Sequence, residues 1–133
     1  MVNAITEIII AAVVAFAVGA LWHGPLFGKT WMKLAGVTMK TMKKAKLTPA
    51  QSMGMGFVSL LVVAYVLNMF LLLLGADTAK EAIIAAAILW LGFVAPIVFG
   101  GYIWENKSFK LTVFNGVYRL VELAVLAVVL ALL

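Results

Sequence analysis

The sequence predicts an all-α integral membrane protein, a four-helix up-and-down bundle. Its 133 residues are 66% hydrophobic and only 11% charged, with a mean hydropathy of +1.19. Soluble domains carry roughly 25% charged residues and bury only part of their surface, so a chain this apolar has too little polar surface for water. The apolar residues fall in continuous runs at about residues 4–26, 49–74, 79–104 and 111–133. A bilayer core ~30 Å thick is crossed by about 20 helical residues. Backbone polar groups in lipid must be bonded within the segment, which selects helices. Continuous rather than alternating runs argue against a β-barrel. The same composition excludes a soluble globular domain, a disordered chain and a nucleic-acid-binding module.

The first run begins Met1-Val2-Asn3-Ala4-Ile5-Thr6-Glu7, with one acid and no base. A secretory leader starts positive, so the first span is expected to stay in the mature protein, with Asn3 as its N-cap. Ala11, Ala15 and Gly19 recur at every fourth position, as do Gly92, Pro96 and Gly100 in the third span. Small residues at this spacing let helices approach closely in lipid. They predict a tight contact between the first and third spans, and the same faces would also serve a homo-oligomer. Pro96 should kink its helix.

The loop at residues 28–48 reads as interfacial. Trp31, Leu34, Ala35, Met42 and Ala45 share one helical side, and Lys33, Lys40, Lys43 and Lys44 the other. Gly36 is placed to break this helix and Thr38 to cap a second piece. An amphipathic segment of this kind lies on a membrane surface. Its lysines either contact anionic headgroups, at about 1 kcal/mol each, or simply set orientation. Thr48-Pro49-Ala50-Gln51 opens the second span as a capping box, and Gly75 can close it in the left-handed conformation. Asn68 is expected to hydrogen-bond across helices. Thr78-Ala79-Lys80-Glu81 repeats the capping pattern ahead of the third span, and Ser108 precedes the fourth.

Lysines predict topology. Lys29, Lys33, Lys40, Lys43, Lys44 and Lys46 lie between the first two spans, and Lys107 and Lys110 between the last two; the other side carries only Lys80. By the positive-inside rule, the loops at 28–48 and 105–110 are cytoplasmic and both termini extracytoplasmic. Small multidrug transporters also have four spans and an acidic residue in the first. They often pair antiparallel, which needs a weak bias, whereas the bias here is strong and Glu7 lies in the first turn.

The last span carries the informative polar residues. Asn115, Tyr118, Arg119 and Glu122 form a seam on one helical face, with Glu122 ~16 Å from Leu111 at 1.5 Å per residue. Intramembrane charges are costly and face the bundle interior or an oligomer interface. Either Arg119 and Glu122 form a neutral pair that fixes packing, or Glu122 is a proton or cation site tuned by Arg119, or the pair lines a headgroup pocket. His23 is the only histidine and there is no cysteine, so neither a metal site nor a cofactor is expected. Trp22, Trp31, Tyr102, Trp104 and Tyr118 mark an aromatic belt at the cytoplasmic boundary. No nucleophile–base–orienter grouping is visible, and no catalytic residue is assigned. The two halves share a hydropathy order, with residue-level similarity too thin for a duplication.

Gly19-Ala20-Leu21-Trp22-His23-Gly24-Pro25-Leu26-Phe27-Gly28-Lys29-Thr30-Trp31 resembles the signature of a mostly prokaryotic family of small membrane proteins, known as a domain of unknown function numbered in the seventeen-sixties. The signature there reads Gly-x-x-Trp-Tyr-Ser-Pro, then Phe-Gly-x-x-Trp; this chain has Gly19, Trp22, Pro25, Gly28 and Trp31 in place, with His23 and Gly24 for Tyr and Ser. Tyr102 to Glu105, Leu111, Asn115-Gly116 and Tyr118 also resemble the family. The resemblance implies a four-helix membrane domain and no particular activity. The expectation is therefore a non-enzymatic membrane protein, self-associating in the bilayer. Its seam would support packing, assembly or a small binding site, with a small transporter or channel-like subunit as the alternative and a membrane-embedded enzyme a distant third.

Overall fold

The computed structural model describes residues 3–133. Met1 and Val2, which enter the reading of the N-terminal segment, lie outside the described residues. The long helices are α1 (Ala4–Leu21), α4 (Pro49–Leu74), α5 (Ala79–Leu89) continued by α6 (Ala95–Trp104), and α7 (Phe109–Leu132). Short helices α2 (Gly28–Ala35) and α3 (Met39–Lys43) fill the loop between α1 and α4. Four stretches are long and apolar enough to cross a membrane: Ala4–Leu26, Pro49–Leu74, Ala79–Trp104 and Phe109–Leu132. The protein is thus an all-α bundle that fits a multi-pass membrane protein.

The helix ends follow local chemistry. Asn3, Thr38, Thr48, Thr78 and Ser108 each accept a backbone N–H of the first turn, satisfying donors that a helix start leaves free. Thr48 and Gln51 complete a reciprocal box. At Thr78 the Glu81 carboxylate instead accepts a hydrogen bond from the Thr78 hydroxyl, at 2.8 Å. Gly36 and Gly75 close their helices with φ of 70° and 66°. Ser108 starts the last helix two residues before Leu111, at Phe109.

Two π-helical turns interrupt the spans: Trp22–Leu26, which is kinked where Gly24 leaves helical geometry (φ −113°, ψ −108°), and Trp90–Val94. In the first, Pro25 has no N–H to give and its ring would clash with the preceding turn. The chain widens, with the Phe27 N–H reaching the Trp22 carbonyl at 2.9 Å. The second stands directly ahead of Pro96, so the expected disturbance in that span takes the form of a widened turn rather than a simple proline kink. Gly28 then lets α2 fold back, because a Cβ there would stand 2.8 Å from the His23 carbonyl oxygen.

The expected contact between the first and third spans does not form: α1 and α5 each pack on α7 rather than on each other. Ala11, Ala12 and Ala15 are buried, but Gly92 and Pro96 are exposed. Every-fourth spacing defines one face only in an unbroken α-helix, and the π turn breaks the register between Gly92 and Pro96. The core instead joins the alanines of α1 to Leu60, Ala64, Leu67 and Leu71 of α4, Ala82, Ala85 and Ala86 of α5, and Leu123, Leu126, Ala127 and Leu130 of α7. Asn68 is half-buried and forms no cross-helix hydrogen bond among the described residues. Past their turn α4 and α5 diverge around an apolar groove lined by Val62, Val66, Phe70, Leu89 and Phe93. The aromatic belt also divides. Tyr102 and Trp104 are exposed, whereas Trp22, Trp31 and Tyr118 pack inward.

Candidate intramembrane polar site

Glu122 sits on α7 with its side chain only 8% exposed. Residues three and four positions back lie on the same helical face, and both reach it. The Tyr118 hydroxyl donates to Oε2 at 2.9 Å, and Arg119 Nη1 donates to Oε1 at 3.0 Å and Oε2 at 3.2 Å. The carboxylate is therefore held by charge-assisted bonds, which offset the cost of removing it from water. Arg119 is only half withdrawn from the surface, at 51% exposure, and its guanidinium stands 5.4 Å from the Tyr118 ring centroid.

The turn between α1 and α2 wraps the same tyrosine. Gly19 is required by sterics, since a Cβ there would collide with the Tyr118 hydroxyl. His23 packs its ring edge-on to Tyr118, with centroids 4.6 Å apart, and its Nδ1 lies 3.1 Å from the Gly19 carbonyl oxygen. A carbonyl only accepts, so this contact places a proton on Nδ1. Trp31 of α2 stands edge-on to His23 at 5.4 Å. Trp22 packs among Phe27, Phe114 and Tyr118, with its buried Nε1 lacking a hydrogen-bond partner among the described residues.

Two cavities flank this cluster. One, of about 420 Å³, opens between α1, α4 and α7 and is lined by Phe16, Ala20, Met53, Gly56, Ser59 and Val63, with His23, Tyr118, Arg119 and Glu122 on its wall. The other, of about 380 Å³, lies between the α1–α2 turn, α6 and α7, lined by Trp31, Glu105, Lys107, Thr112 and Asn115. His23, Tyr118 and Arg119 border both.

Of the predicted seam, Tyr118, Arg119 and Glu122 form one hydrogen-bonded unit. Asn115 stands apart, half-buried on the second cavity and outside the network. Of the signature positions, Gly19, Trp22, His23 and Trp31 surround the cluster, while Pro25 and Gly28 shape the turn that brings them there. Lys33, Lys40, Lys43 and Lys44 are exposed and border neither cavity. Among the described residues, no three of His, Cys, Asp and Glu are grouped to hold a metal ion.

Sequence reasoning missed the contribution of α4, where Gly56 and Ser59 open the larger cavity; the weakly apolar stretch Ser52-Met53-Gly54-Met55-Gly56 was the available signal. It also missed Trp90, whose Nε1 donates to the Gly116 carbonyl at 2.8 Å and ties the second π turn to α7.

Neither a curated protein nor a solved structure matches the chain. A family model does, over residues 6–131, a range that takes in all but the outermost residues of α1 and α7, both π turns and the Tyr118–Glu122 cluster. The chain belongs to the family described as "Protein of unknown function (DUF1761)".

Proposed function

We propose that the protein is a non-enzymatic, membrane-embedded binding protein whose site is the Tyr118–Arg119–Glu122 cluster. One observation carries this reading: the ion pair faces an open cavity of about 420 Å³, within the 300–1,000 Å³ typical of ligand pockets. A pair that served packing alone would sit in a closed helix contact. The lysine-rich end, with α2, α3 and the 105–110 loop, is assigned to the cytoplasmic side, and both termini to the outside. Lys33, Lys40, Lys43 and Lys44 face anionic headgroups there. The exposed Gly92 and Pro96 face is available to a second copy of the chain, a homo-oligomer.

The natural chain has no cysteine, so single-cysteine labelling tests the reading directly. Ser59→Cys should react with a membrane-impermeant thiol reagent added from the cytoplasmic side, as Lys40→Cys should, while Ala64→Cys and Ala127→Cys stay inert. A Ser59→Cys as inert as Ala64→Cys would overturn it. A transporter or channel-like subunit is the second reading, favoured by a carboxylate that borders the cavity. It expects proton or cation flux in proteoliposomes that Glu122→Gln abolishes with assembly intact.

A further inference from the structure

We infer that the occupant of this site is an anionic amphiphile, a phosphate or carboxylate head on a single apolar chain, with Arg119 as the group that holds the head. The inference rests on the binding-site reading above and deepens it. Arg119 has five N–H donors in a planar fork, and among the described residues only Nη1 is engaged, with Glu122. The rest of a half-exposed guanidinium borders both cavities. In the smaller cavity Asn115 makes no side-chain hydrogen bond among the described residues, and Lys107 stands 3.9 Å from Glu105. Glu105 is the acidic group on that wall and is matched by Lys107; Glu122 already takes bonds from Tyr118 and Arg119. The unspent capacity at the junction is therefore mostly donors, and its complement is a negatively charged acceptor.

The two cavities are ordered along α7. Thr112 and Asn115, near the lysine-rich end, line the polar one; Glu122, deeper, lines the other. The deeper wall is otherwise largely apolar, with Phe16, Ala20, Met53, Leu60 and Val63. Headgroup first and chain below is the order of an amphiphile in its own leaflet. A free inorganic anion would leave the deeper cavity unfilled, and an uncharged apolar ligand would leave the donors unpaired, which is costly.

The test uses the full chain, purified in a neutral maltoside detergent and titrated by native mass spectrometry with dodecyl phosphate, dodecanoate, dodecyltrimethylammonium and inorganic phosphate. Saturable binding of dodecyl phosphate or dodecanoate is expected, weakened about ten- to a hundred-fold in Arg119→Gln/Glu122→Gln by loss of charge-assisted bonds. Lys40→Gln/Lys43→Gln/Lys44→Gln should bind as the natural chain does. Asn115→Ala leaves the ion pair intact and should weaken binding several-fold, which keeps the test decisive if the double variant fails to fold. Equal binding of inorganic phosphate, preference for the cation, or a loss confined to the lysine variant would each overturn the inference. Failure of both anionic probes with Ser59→Cys still reactive sinks this inference alone; failure of both together with an inert Ser59→Cys sinks the binding-site reading as well.

Discussion

The two halves of α7 are built on opposite rules. From Thr112 to Glu122 the helix carries hydroxyls, an amide and an ion pair, and two cavities open beside it. From Leu123 to Leu130 it presents Leu123, Leu126, Ala127 and Leu130, closed against the alanines of α1 and α5 and the leucines of α4. Lipid tails are as apolar as leucine, so the dry half gains its stability from close approach and dispersion, which alanine and leucine supply. The polar half gains nothing from lipid and holds together only because every charge in the membrane has a partner. Close packing therefore dominates the half from Leu126 to Leu130, below the apolar groove that Leu123 borders, and polar binding capacity lies in the half that carries the charges.

The largest expected effect comes from breaking the polar half unevenly. Arg119→Leu leaves Glu122 buried without its counter-charge and should destabilise the bundle by about 3–5 kcal/mol, whereas Arg119→Leu/Glu122→Leu should recover most of that loss. Unfolding in mixed micelles of increasing dodecyl sulfate measures both. Equal losses in the single and double variants would mean that the pair is not an electrostatic unit.

In the dry half, Leu126 is the largest side chain with no exposure. Leu126→Ala should cost about 2–5 kcal/mol, because a cavity is left where the backbones cannot close. Val63→Ala, on the wall of an existing cavity, should cost distinctly less by the same unfolding assay, since little new void is made. A reversed order would erase the contrast between the halves.

What the sequence made legible divides along similar lines. Spans and caps depend on residues close in the chain, such as Thr48 with Gln51 or Gly75 with the turn it closes, and these were readable. The pairing of Arg119 with Glu122 was readable for the same reason, since one helical turn connects them. The meeting of Trp22 and His23 with Tyr118 was not, because no local rule says which helices become neighbours. The small-residue spacing at Gly92, Pro96 and Gly100 pointed to the wrong neighbour, because a π turn changes which residues share a face and the spacing carries no mark of it. The signature and the seam stood apart in the sequence reading; the fold makes them one site.

A smaller effect tests that convergence. Gly19→Ala places a methyl where the Tyr118 hydroxyl stands. The ring must shift and its bond to Glu122 lengthen, at a cost of about 1–3 kcal/mol for a misfitted contact. Adding Tyr118→Phe removes the hydroxyl that collides, so the double variant should be less destabilised than the sum of the singles, measured as a double-mutant cycle in the same micelles. Strict additivity would separate the signature turn from the polar cluster.

The smallest effect compares the two tryptophans that open the π turns. Each packs against α7, Trp22 on Phe114 and Tyr118 and Trp90 at Gly116, and each carries one N–H. Trp90 donates its N–H to the Gly116 carbonyl, while Trp22 Nε1 is buried with no partner among the described residues. Replacing either by phenylalanine removes similar ring area, so the difference between the variants isolates the fate of the N–H. Trp90→Phe loses a hydrogen bond worth about 1 kcal/mol, although the mid-helix carbonyl keeps its intrahelical donor. Trp22→Phe loses no protein hydrogen bond and removes a donor that burial penalises. Trp90→Phe should therefore be the less stable of the two by about 1 kcal/mol. Equal stabilities would place an acceptor beside Trp22 after all, and the neighbourhood of His23 and Tyr118 would be wetter than its aromatic packing implies.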